Sequence, residues 1–194
     1  MTPTVETVSG KFVHLLQPQA DTIYFDDIAY ALSRIARFNG HTLGSFQYSV
    51  AQHSLWCAWV AQTHFKMPPA TTLKVLLHDA HEAYTGDVVS PLKRQLEYIS
   101  LIQERLQNAI HDALHIKACV VQENNLISII DGWAVAIESR YLMSSRGKYC
   151  KPSAMPDALH KVWHDPVAPM QAYRMFVQAF ARLHSGMEML SPCA

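Results

Sequence analysis

The sequence predicts a single all-α domain, and three observations support this prediction. Apolar residues recur at the three- and four-residue spacing of an amphipathic helix in most of the long segments of the 194-residue chain. Hydrophobic residues make up 49% of the chain, which is enough to bury one sizeable core. No segment shows the sustained alternation of apolar and polar residues that indicates a sheet. The length suits one domain, here residues 1–194, and no internal repeat or long linker divides it.

Six helices are expected after a short N-terminal strand or hairpin around residues 11–16, where apolar and polar residues alternate weakly. Asp26 and Asp27 supply an N-cap signal for the first helix. Pro68 marks the end of the second helix and Gly86 the end of the third, because neither residue type readily continues a helix. The expected helices span approximately residues 26–37, 49–67, 70–84, 92–114, 121–143 and 167–184.

Charge and composition exclude several classes of protein. Sixteen Lys and Arg balance sixteen Asp and Glu, so the chain lacks the basic excess that duplex nucleic acid or an anionic membrane would require. No apolar run reaches the roughly 18 residues of a membrane span, and residues 1–30 lack the pattern of a secretory signal. The cysteines form no CxxC motif, so we expect free thiols in a reducing cytoplasm. They are Cys57, Cys119, Cys150 and Cys193.

The most informative segment lies near the end of the expected third helix, where polar residues interrupt apolar ones. His78 and Asp79 are adjacent, and Glu82 follows His78 by four residues, which places both on one face of a helix. A charged group in an apolar helix is costly to bury unless it is paired or bound to a metal. Imidazole and carboxylate together suit zinc, manganese, cobalt or iron. From these residues alone, a metal site and a capped or surface-facing pair both remain open.

Two further residues extend this constellation onto other helices. His53 lies in an apolar segment of the preceding helix, and helices joined by a short connection usually pack antiparallel, which brings His53 toward His78 and Asp79. A lone histidine in such a segment is equally consistent with a hydrogen-bonded core residue. Asp131 follows an apolar run on a later helix, where an unpaired carboxylate is expensive to bury. Three helices thus supply a histidine, a His-Asp pair and an aspartate.

The order of these four residues resembles the H…HD…D pattern of the HD-domain phosphohydrolase superfamily, whose members are helical bundles. Residues 78–93, HDAHEAYTGDVVSPLK, are similar to the HDAxExxxGDxxxPxK stretch of bacterial 5′-deoxynucleotidases and of small phage enzymes that hydrolyse dATP. Arg37 and Phe38 resemble the Arg-aromatic pair that precedes the first metal histidine of those enzymes. The resemblance covers about residues 26–143 and implies an HD-domain fold.

The resemblance also implies a divalent metal cofactor, which would be zinc, cobalt, manganese or magnesium, and roles for several side chains. Glu82 would orient or deprotonate a water, or donate a proton to the leaving oxygen. Arg37 and Lys93 would bind phosphate, Asp87 the sugar 3′-hydroxyl, and Phe38 would stack on the base or sugar. Four of these residues also have simpler interpretations. Arg37 is consistent with a charge at a helix end and Lys93 with a solvated side chain. Asp87 is consistent with a turn residue, and Phe38 with an aromatic packed in the core or a loop. The implied metal ligands are His53, His78, Asp79 and Asp131, with Asp79 also counted as catalytic.

The function implied by the resemblance is dATP triphosphohydrolase, which releases deoxyadenosine and triphosphate. The short connection between His53 and His78 is similar to that of the compact phage-type enzymes. The alternative is a 5′-deoxynucleotidase that removes phosphate from monophosphates, and a third interpretation is a non-catalytic, metal-binding HD module. The expected partner is a deoxynucleotide, without nucleic acid or membrane, in a cytoplasmic homo-oligomer. His41 and His81 are close enough to the motif to contact a substrate.

Overall fold

The computed structural model describes residues 3–150, 155–161 and 165–191, and it is built mainly of helices. Two strands, β1 (Thr4–Glu6) and β2 (Phe12–His14), form an antiparallel hairpin near the N terminus. The all-α class is therefore confirmed, and an N-terminal hairpin is present, although it spans residues 4–14 rather than 11–16. The α-helices in the described ranges are α1 (Phe25–Leu32), α2 (Val50–Thr63), α3 (Pro69–Leu76), α4 (Glu82–Thr85), α5 (Ser90–Lys93), α6 (Ile99–Ala113), α7 (Val121–Leu142) and α8 (Pro169–His184).

In the part of the chain that the structure describes, three short 3₁₀ turns connect some of these elements, at Ala20–Thr22, Arg37–Gly40 and Asp157–Lys161. Within the described ranges, no helix is both long enough and apolar enough to cross a membrane. Cys57, Cys119 and Cys150 are free thiols, as expected. Cys193 lies outside the described residues.

Helix α2 occupies the centre of the fold. It begins where the sequence predicts, at Ser49, whose Oγ accepts a hydrogen bond from the backbone N–H of Gln52 at 3.3 Å. Eleven of its 14 residues are buried, because α1, α3, α7 and α8 pack around it. His53, in the second turn of α2, is consequently 0% exposed and lies on a rigid support.

Two apolar clusters meet at α2. Leu55 and Ala58 join the larger cluster with α1, α3, α6 and α8, in which Phe176 is fully buried. Trp56 and Val60 pack with α7 in the smaller cluster. Truncating one large side chain in such a core costs about 2–5 kcal/mol. The packing therefore holds α2, α3 and α7 in the relative positions that the site requires.

The expected N-cap of the first helix is wrong. Helix α1 begins at Phe25, and Tyr24 occupies the N-cap position without a side-chain hydrogen bond. Asp27 is instead buried, and its carboxylate accepts hydrogen bonds from the backbone N–H and the hydroxyl of Ser9, at 3.0 and 2.6 Å. A buried carboxylate needs such partners. Asp27 therefore connects the turn of the N-terminal hairpin to α1.

The long helix expected over residues 92–114 is divided into α5 and α6, with residues 94–98 between them. Leu92 and Leu96 have helical spacing, but their side chains are 49% and 41% exposed. A helix that buries little apolar surface gains little from tertiary packing, which supplies most helical stability in proteins. Only from Ile99 onward does the segment pack a buried face, which includes Leu106 and Ile110.

The helix expected over residues 70–84 is interrupted where the motif begins. Helix α3 ends at Leu76, and α4 starts at Glu82. Between them, the backbone N–H groups of residues 80 and 82–84 bond to carbonyls three residues earlier, which is 3₁₀ winding. The His78 Nδ1–H donates to the Val75 carbonyl at 2.8 Å and so occupies the acceptor that a continuous α-helix would offer to Asp79.

Candidate metal centre

Four side chains converge beside α2, and they are the four predicted ligands. The Nε2 atom of His53 lies 3.3 Å from the Nε2 of His78 and 3.4 Å from the Oδ2 of Asp79. It also lies 3.3 Å from the Oδ1 of Asp131, on α7. His78 Nε2 is 3.2 Å from Asp79 Oδ2. The structure therefore brings together residues that are up to 78 positions apart in the chain.

Both histidines direct their Nε2 atom into this cluster, because Nδ1 is bonded elsewhere. The Nδ1 of His53 lies 2.6 Å from the Oε1 of Glu138, and the Nδ1 of His78 lies 2.8 Å from the Val75 carbonyl oxygen. A carboxylate and a carbonyl only accept hydrogen bonds, so each Nδ1 bears a proton. Burial alone would lower the pKa of both rings, but neighbouring carboxylates, among them Glu138 for His53 and Asp79 for His78, raise it. A bound cation would take the place of the protons on the two Nε2 atoms.

This donor set fits a divalent cation. Zinc binds imidazole nitrogen and carboxylate oxygen at about 2.0–2.2 Å, which places neighbouring ligand atoms of a tetrahedron about 3.3–3.6 Å apart. The measured separations of 3.2–3.4 Å are close to that spacing. Burial alone would raise the pKa of Asp79, but His78 and His53 hold it well below its usual value, so this carboxylate is ionised. Mixed nitrogen and oxygen ligands suit zinc, manganese, cobalt or iron.

Glu138 was missed by the sequence prediction. This carboxylate of α7 is 1% exposed, and its Oε2 accepts a hydrogen bond from Arg37 Nε at 3.3 Å while its Oε1 binds His53. Burial alone would raise the pKa of Glu138, but Arg37 and His53 lower it. Glu138 follows Asp131 by seven residues, or two helical turns, and this spacing is the sequence signal that would have identified it.

Cys57 was predicted only to be a free thiol, but it lies beside the cluster. Its Sγ is 3.7 Å from the Nε2 of His53, one turn earlier on α2. The ligand atoms of Cys57, His53 and His78 all lie within 4.8 Å of one another. Burial raises the pKa of the thiol, so the neutral form lies next to the candidate ligands. The four-residue spacing from His53 is the signal that would have placed it there.

Arg37 reaches the cluster because its segment pairs with the residues that precede α2. Its backbone N–H donates to the carbonyl of Tyr48 at 2.9 Å. The guanidinium is nearly buried and donates through Nη1 to Asp87 and through Nε to Glu138, each at 3.3 Å. The cation predicted to bind phosphate thus has two carboxylate partners, and one of them, Asp87, is the residue predicted to bind the sugar.

Phe38 has an unusual backbone conformation next to Arg37. Its φ is 54° and that of Asn39 is 52°, in the left-handed region that bulky residues rarely adopt. Such a conformation costs on the order of 1–3 kcal/mol per residue and persists only where surrounding contacts impose it. The Arg37 guanidinium lies 5.8 Å from the centre of the Phe38 ring. The segment that carries Arg37 and Phe38 therefore has a strained backbone beside the cluster.

A cavity of about 540 Å³, here called the acidic cavity, opens beside the cluster. The carboxylates of Asp79 and Asp131 form part of its wall, and Val135 and Met143 contribute an apolar side. A volume in this range accommodates a small-molecule ligand. All the predicted catalytic and substrate-binding residues also line it: Arg37, Phe38, Asp79, Glu82, Asp87 and Lys93.

Glu82 lies in this wall but not on the predicted face. In the 3₁₀ turn, side chains three residues apart are aligned, so Glu82 follows Asp79 rather than His78. Glu82 is 6% exposed. Burial, together with the negative charges of Asp79 and Asp87, raises its pKa to about 9. A carboxyl group with its pKa shifted toward neutrality or beyond is suited to proton transfer.

A second cavity of about 550 Å³, here called the amide cavity, lies against His78, His81 and α6. The Gln107 Oε1 accepts hydrogen bonds from the backbone N–H of His81 at 3.3 Å and from its Nδ1 at 3.2 Å. The Gln107 Nε2 donates to the Leu77 carbonyl at 2.9 Å and to His111 Nε2 at 3.0 Å. Lys93 lines both cavities, so the two cavities adjoin.

The fold and this cluster define a helical protein with a candidate centre for a divalent cation. No protein-family model matches the chain. The chain is 31% identical over 176 residues to the Escherichia coli protein named uncharacterized protein YfdR, which covers 91% of this chain and 93% of YfdR. It is 38% identical over 107 residues, 54% of each chain, to uncharacterized protein RCAP_rcc00048 of Rhodobacter capsulatus. The chain belongs to the same family as YfdR.

Proposed function

We propose that this protein is a metal-dependent phosphohydrolase of 5′-deoxynucleotides on an HD-domain helical bundle. One observation supports this more than any other: His78, Asp79 and Asp131 each place a ligand atom 3.3–3.4 Å from the Nε2 of His53, at the edge of a cavity of nucleotide size. Their order along the chain, and the residues between positions 78 and 93, are those that resemble the HD-domain enzymes.

A divalent cation, which would be zinc, cobalt, manganese or magnesium, would lower the pKa of a water toward neutrality and polarise the phosphoryl oxygen when bound. The residues that would hold it are His53, His78, Asp79 and Asp131. Glu138 positions the His53 ring through its hydrogen bond to Nδ1, and the Val75 carbonyl does the same for His78.

Glu82 would transfer the proton. It is buried in the cavity wall beside Asp79, with one carboxylate oxygen, Oε2, that has no hydrogen-bond partner among the described residues. Because its pKa is raised to about 9, its protonated carboxyl would deliver a proton to the leaving 5′-oxygen, and the carboxylate so formed would take up the proton that the attacking water releases. Water oxygen bonds to the phosphorus that bears the nucleoside, the bond from phosphorus to the 5′-oxygen breaks, and the 5′-oxygen leaves as a hydroxyl.

The other residues of the acidic cavity would bind the substrate. Lys93 would contact phosphate oxygens, and Arg37, whose charge is close to the Asp87 carboxylate, would orient that carboxylate toward the sugar 3′-hydroxyl. Phe38, fixed in its left-handed conformation, would pack on the base or the sugar.

The substrate we favour is dATP, with deoxyadenosine and triphosphate as products. Lys93 lines both cavities, so its ammonium group would contact a chain of phosphates that extends from the acidic cavity toward the amide cavity. The alternative is a 5′-deoxynucleotidase. Arg37 is already bonded to two carboxylates, which reduces the cationic contacts available to three phosphates and supports a monophosphate substrate.

Product analysis tests this proposal. Metal-reconstituted protein is incubated separately with dATP, the other deoxynucleoside triphosphates and dAMP, and the products are separated by chromatography. Deoxyadenosine with intact triphosphate from dATP is the expected result. Phosphate from dAMP, with the triphosphates untouched, would establish the monophosphatase instead. No product with zinc, cobalt, manganese or magnesium would contradict both enzymes and favour a non-catalytic metal-binding module.

A further inference from the structure

Two buried polar atoms next to the four-ligand cluster have no hydrogen-bond partner among the described residues. They are the Oε2 of Glu82 and the Nε2 of His81. Glu82 is 6% exposed and His81 is 8% exposed. Each such atom costs on the order of 1–3 kcal/mol when it is left unpaired, so native proteins nearly always satisfy it with a protein group, a water or an ion.

These two atoms belong to one constellation of side chains. Asp79, His81 and Glu82 offer three ligand atoms that all lie within 4.8 Å of one another. The 3₁₀ winding aligns Asp79 with Glu82, and His81 lies between them in the chain. This group is separate from the pairing of His53 with His78, and it shares only Asp79 with the four-ligand cluster.

The ring of His81 is oriented for coordination. The Gln107 Oε1 accepts from both the backbone N–H and the Nδ1 of His81, while the Gln107 Nε2 donates to the Leu77 carbonyl. These contacts identify which end of the Gln107 amide is the oxygen, so the neutral His81 ring has its proton on Nδ1. Its Nε2 is therefore a lone-pair donor, the form of imidazole that binds a metal.

We propose that Asp79, His81 and Glu82 form a second divalent-cation site beside the first, with Asp79 shared between the two. One imidazole nitrogen and two carboxylate oxygens suit a borderline cation such as manganese or zinc better than magnesium, which favours an all-oxygen shell. The second site stands on these contacts alone and does not require that the protein hydrolyse nucleotides.

The charge balance around the site favours a cation. Asp79 and Asp87 lie close enough to Glu82 for their negative charges to raise its pKa. Arg37 and Lys93 are the positive groups that line the same cavity, and Arg37 is already paired with Asp87 and Glu138. A cation would offset the repulsion between the carboxylates. His81 also lines the amide cavity, which would give an ion a route from solvent.

Metal stoichiometry tests the second site, with manganese as the probe. Protein freed of metal by chelation is equilibrated with excess Mn²⁺, and bound metal per chain is measured by mass spectrometry after dialysis against the same buffer. The expected value is two ions per chain for the natural sequence and one for His81→Ala. The matched control is His111→Ala, because His111 bonds to the same Gln107 amide but is not part of the ligand group. It is expected to keep two.

Electron paramagnetic resonance gives a second measurement on the same samples. Two manganese ions that share the Asp79 carboxylate should show exchange coupling, and His81→Ala should reduce the spectrum to that of a single ion. Glu82→Gln, which preserves the side-chain volume, should weaken binding of the second ion at least tenfold, so the conclusion does not depend on one variant folding correctly.

The outcomes separate the second site from the proposed function. One ion per chain in the natural sequence, or two ions retained in His81→Ala, would overturn the second site and leave the four-ligand centre intact. No bound ion at all would contradict the metal-dependent function as well. Two ions in a protein that hydrolyses no nucleotide would support the second site while contradicting the proposed activity.

Discussion

The Oε1 of Glu138 lies 2.6 Å from the Nδ1 of His53, and both side chains are buried, 2% and 0% exposed respectively. This short, charge-assisted hydrogen bond fixes the tautomer and the direction of the imidazole ring. The other oxygen of Glu138 accepts from Arg37. A single carboxylate on α7 therefore positions both a candidate metal ligand and the arginine of the adjoining cavity.

Replacing Glu138 with glutamine should weaken metal binding at the four-ligand cluster about 10- to 100-fold. The glutamine amide carries no negative charge. If its NH₂ group faces His53, the Nδ1–H of His53 has no hydrogen-bond acceptor. Affinity is measured by competition with a chelator of known strength. Glu123→Gln, on the same helix but paired with Lys74, should leave the affinity unchanged. Equal affinity in Glu138→Gln and the natural protein would show that Glu138 is only structural.

Replacing Arg37 with methionine should lower the free energy of unfolding by about 3–5 kcal/mol, because it leaves buried carboxylates without their cation. Urea denaturation measures the loss. The double variant Arg37→Met/Asp87→Asn should recover part of it, since the unpaired charge of Asp87 is then absent, with a coupling of about 0.5–3 kcal/mol. Additive losses would mean that the contact between Arg37 and Asp87 contributes nothing to stability.

Replacing Glu82 with glutamine should lower the rate of nucleotide hydrolysis by about 10²–10⁴-fold, because the amide cannot deliver a proton to the leaving 5′-oxygen. The ion in the four-ligand cluster should remain bound, which metal analysis of the same sample checks. The comparison variant is Glu188→Gln, at an exposed position after α8 that lines neither cavity, and it should retain full activity. An unchanged rate in Glu82→Gln would rule out Glu82 as the proton carrier.

Acidification should destabilise the protein partly through His111. Burial and, to a lesser degree, the charge of Lys74 lower the pKa of His111 below its usual 6.5. As the pH falls below 6.5, the unfolded chain takes up a proton at this position before the folded chain does, so stability is lost in that window. The contribution of His111 to the free energy of unfolding is therefore fully present above pH 6.5.

The measurement is the free energy of unfolding at about pH 7 and pH 5.5, on either side of the usual histidine pKa. The decrease should be smaller in His111→Gln than in the natural protein. His115→Gln, an exposed neighbour, serves as the control and should show the full decrease. The same decrease in all three proteins would exclude His111 as a contributor.

The four candidate ligands were predicted from two kinds of signal. Polar residues in apolar segments drew attention to His53, His78 and Asp79, but these residues alone left a metal site and a capped or core role open. The full ligand set came from the resemblance to the H…HD…D pattern. Antiparallel packing of neighbouring helices accounts only for the approach of His53 to His78 and Asp79, and the expected burial of Asp131 is wrong, because its side chain is 44% exposed.

The residues that support the cluster were less predictable. Glu138 has no motif of its own, and its role depends on contacts with Arg37 and His53 that span more than 80 positions of the chain. The break after Leu76 was also missed, because apolar spacing continued through it. The competing interaction is a side-chain hydrogen bond from His78 to the Val75 carbonyl, which helical periodicity does not detect.

The tight turn over residues 77–82 makes the spacing between α3 and α4 intolerant of insertions and deletions. At three residues per turn, one added residue would rotate everything after it by about 120°. His81 would then leave the amide cavity, and Glu82 would leave the acidic one. Substitutions elsewhere in the loops can be absorbed locally, but a change of length at this point would displace side chains that line both the acidic cavity and the amide cavity.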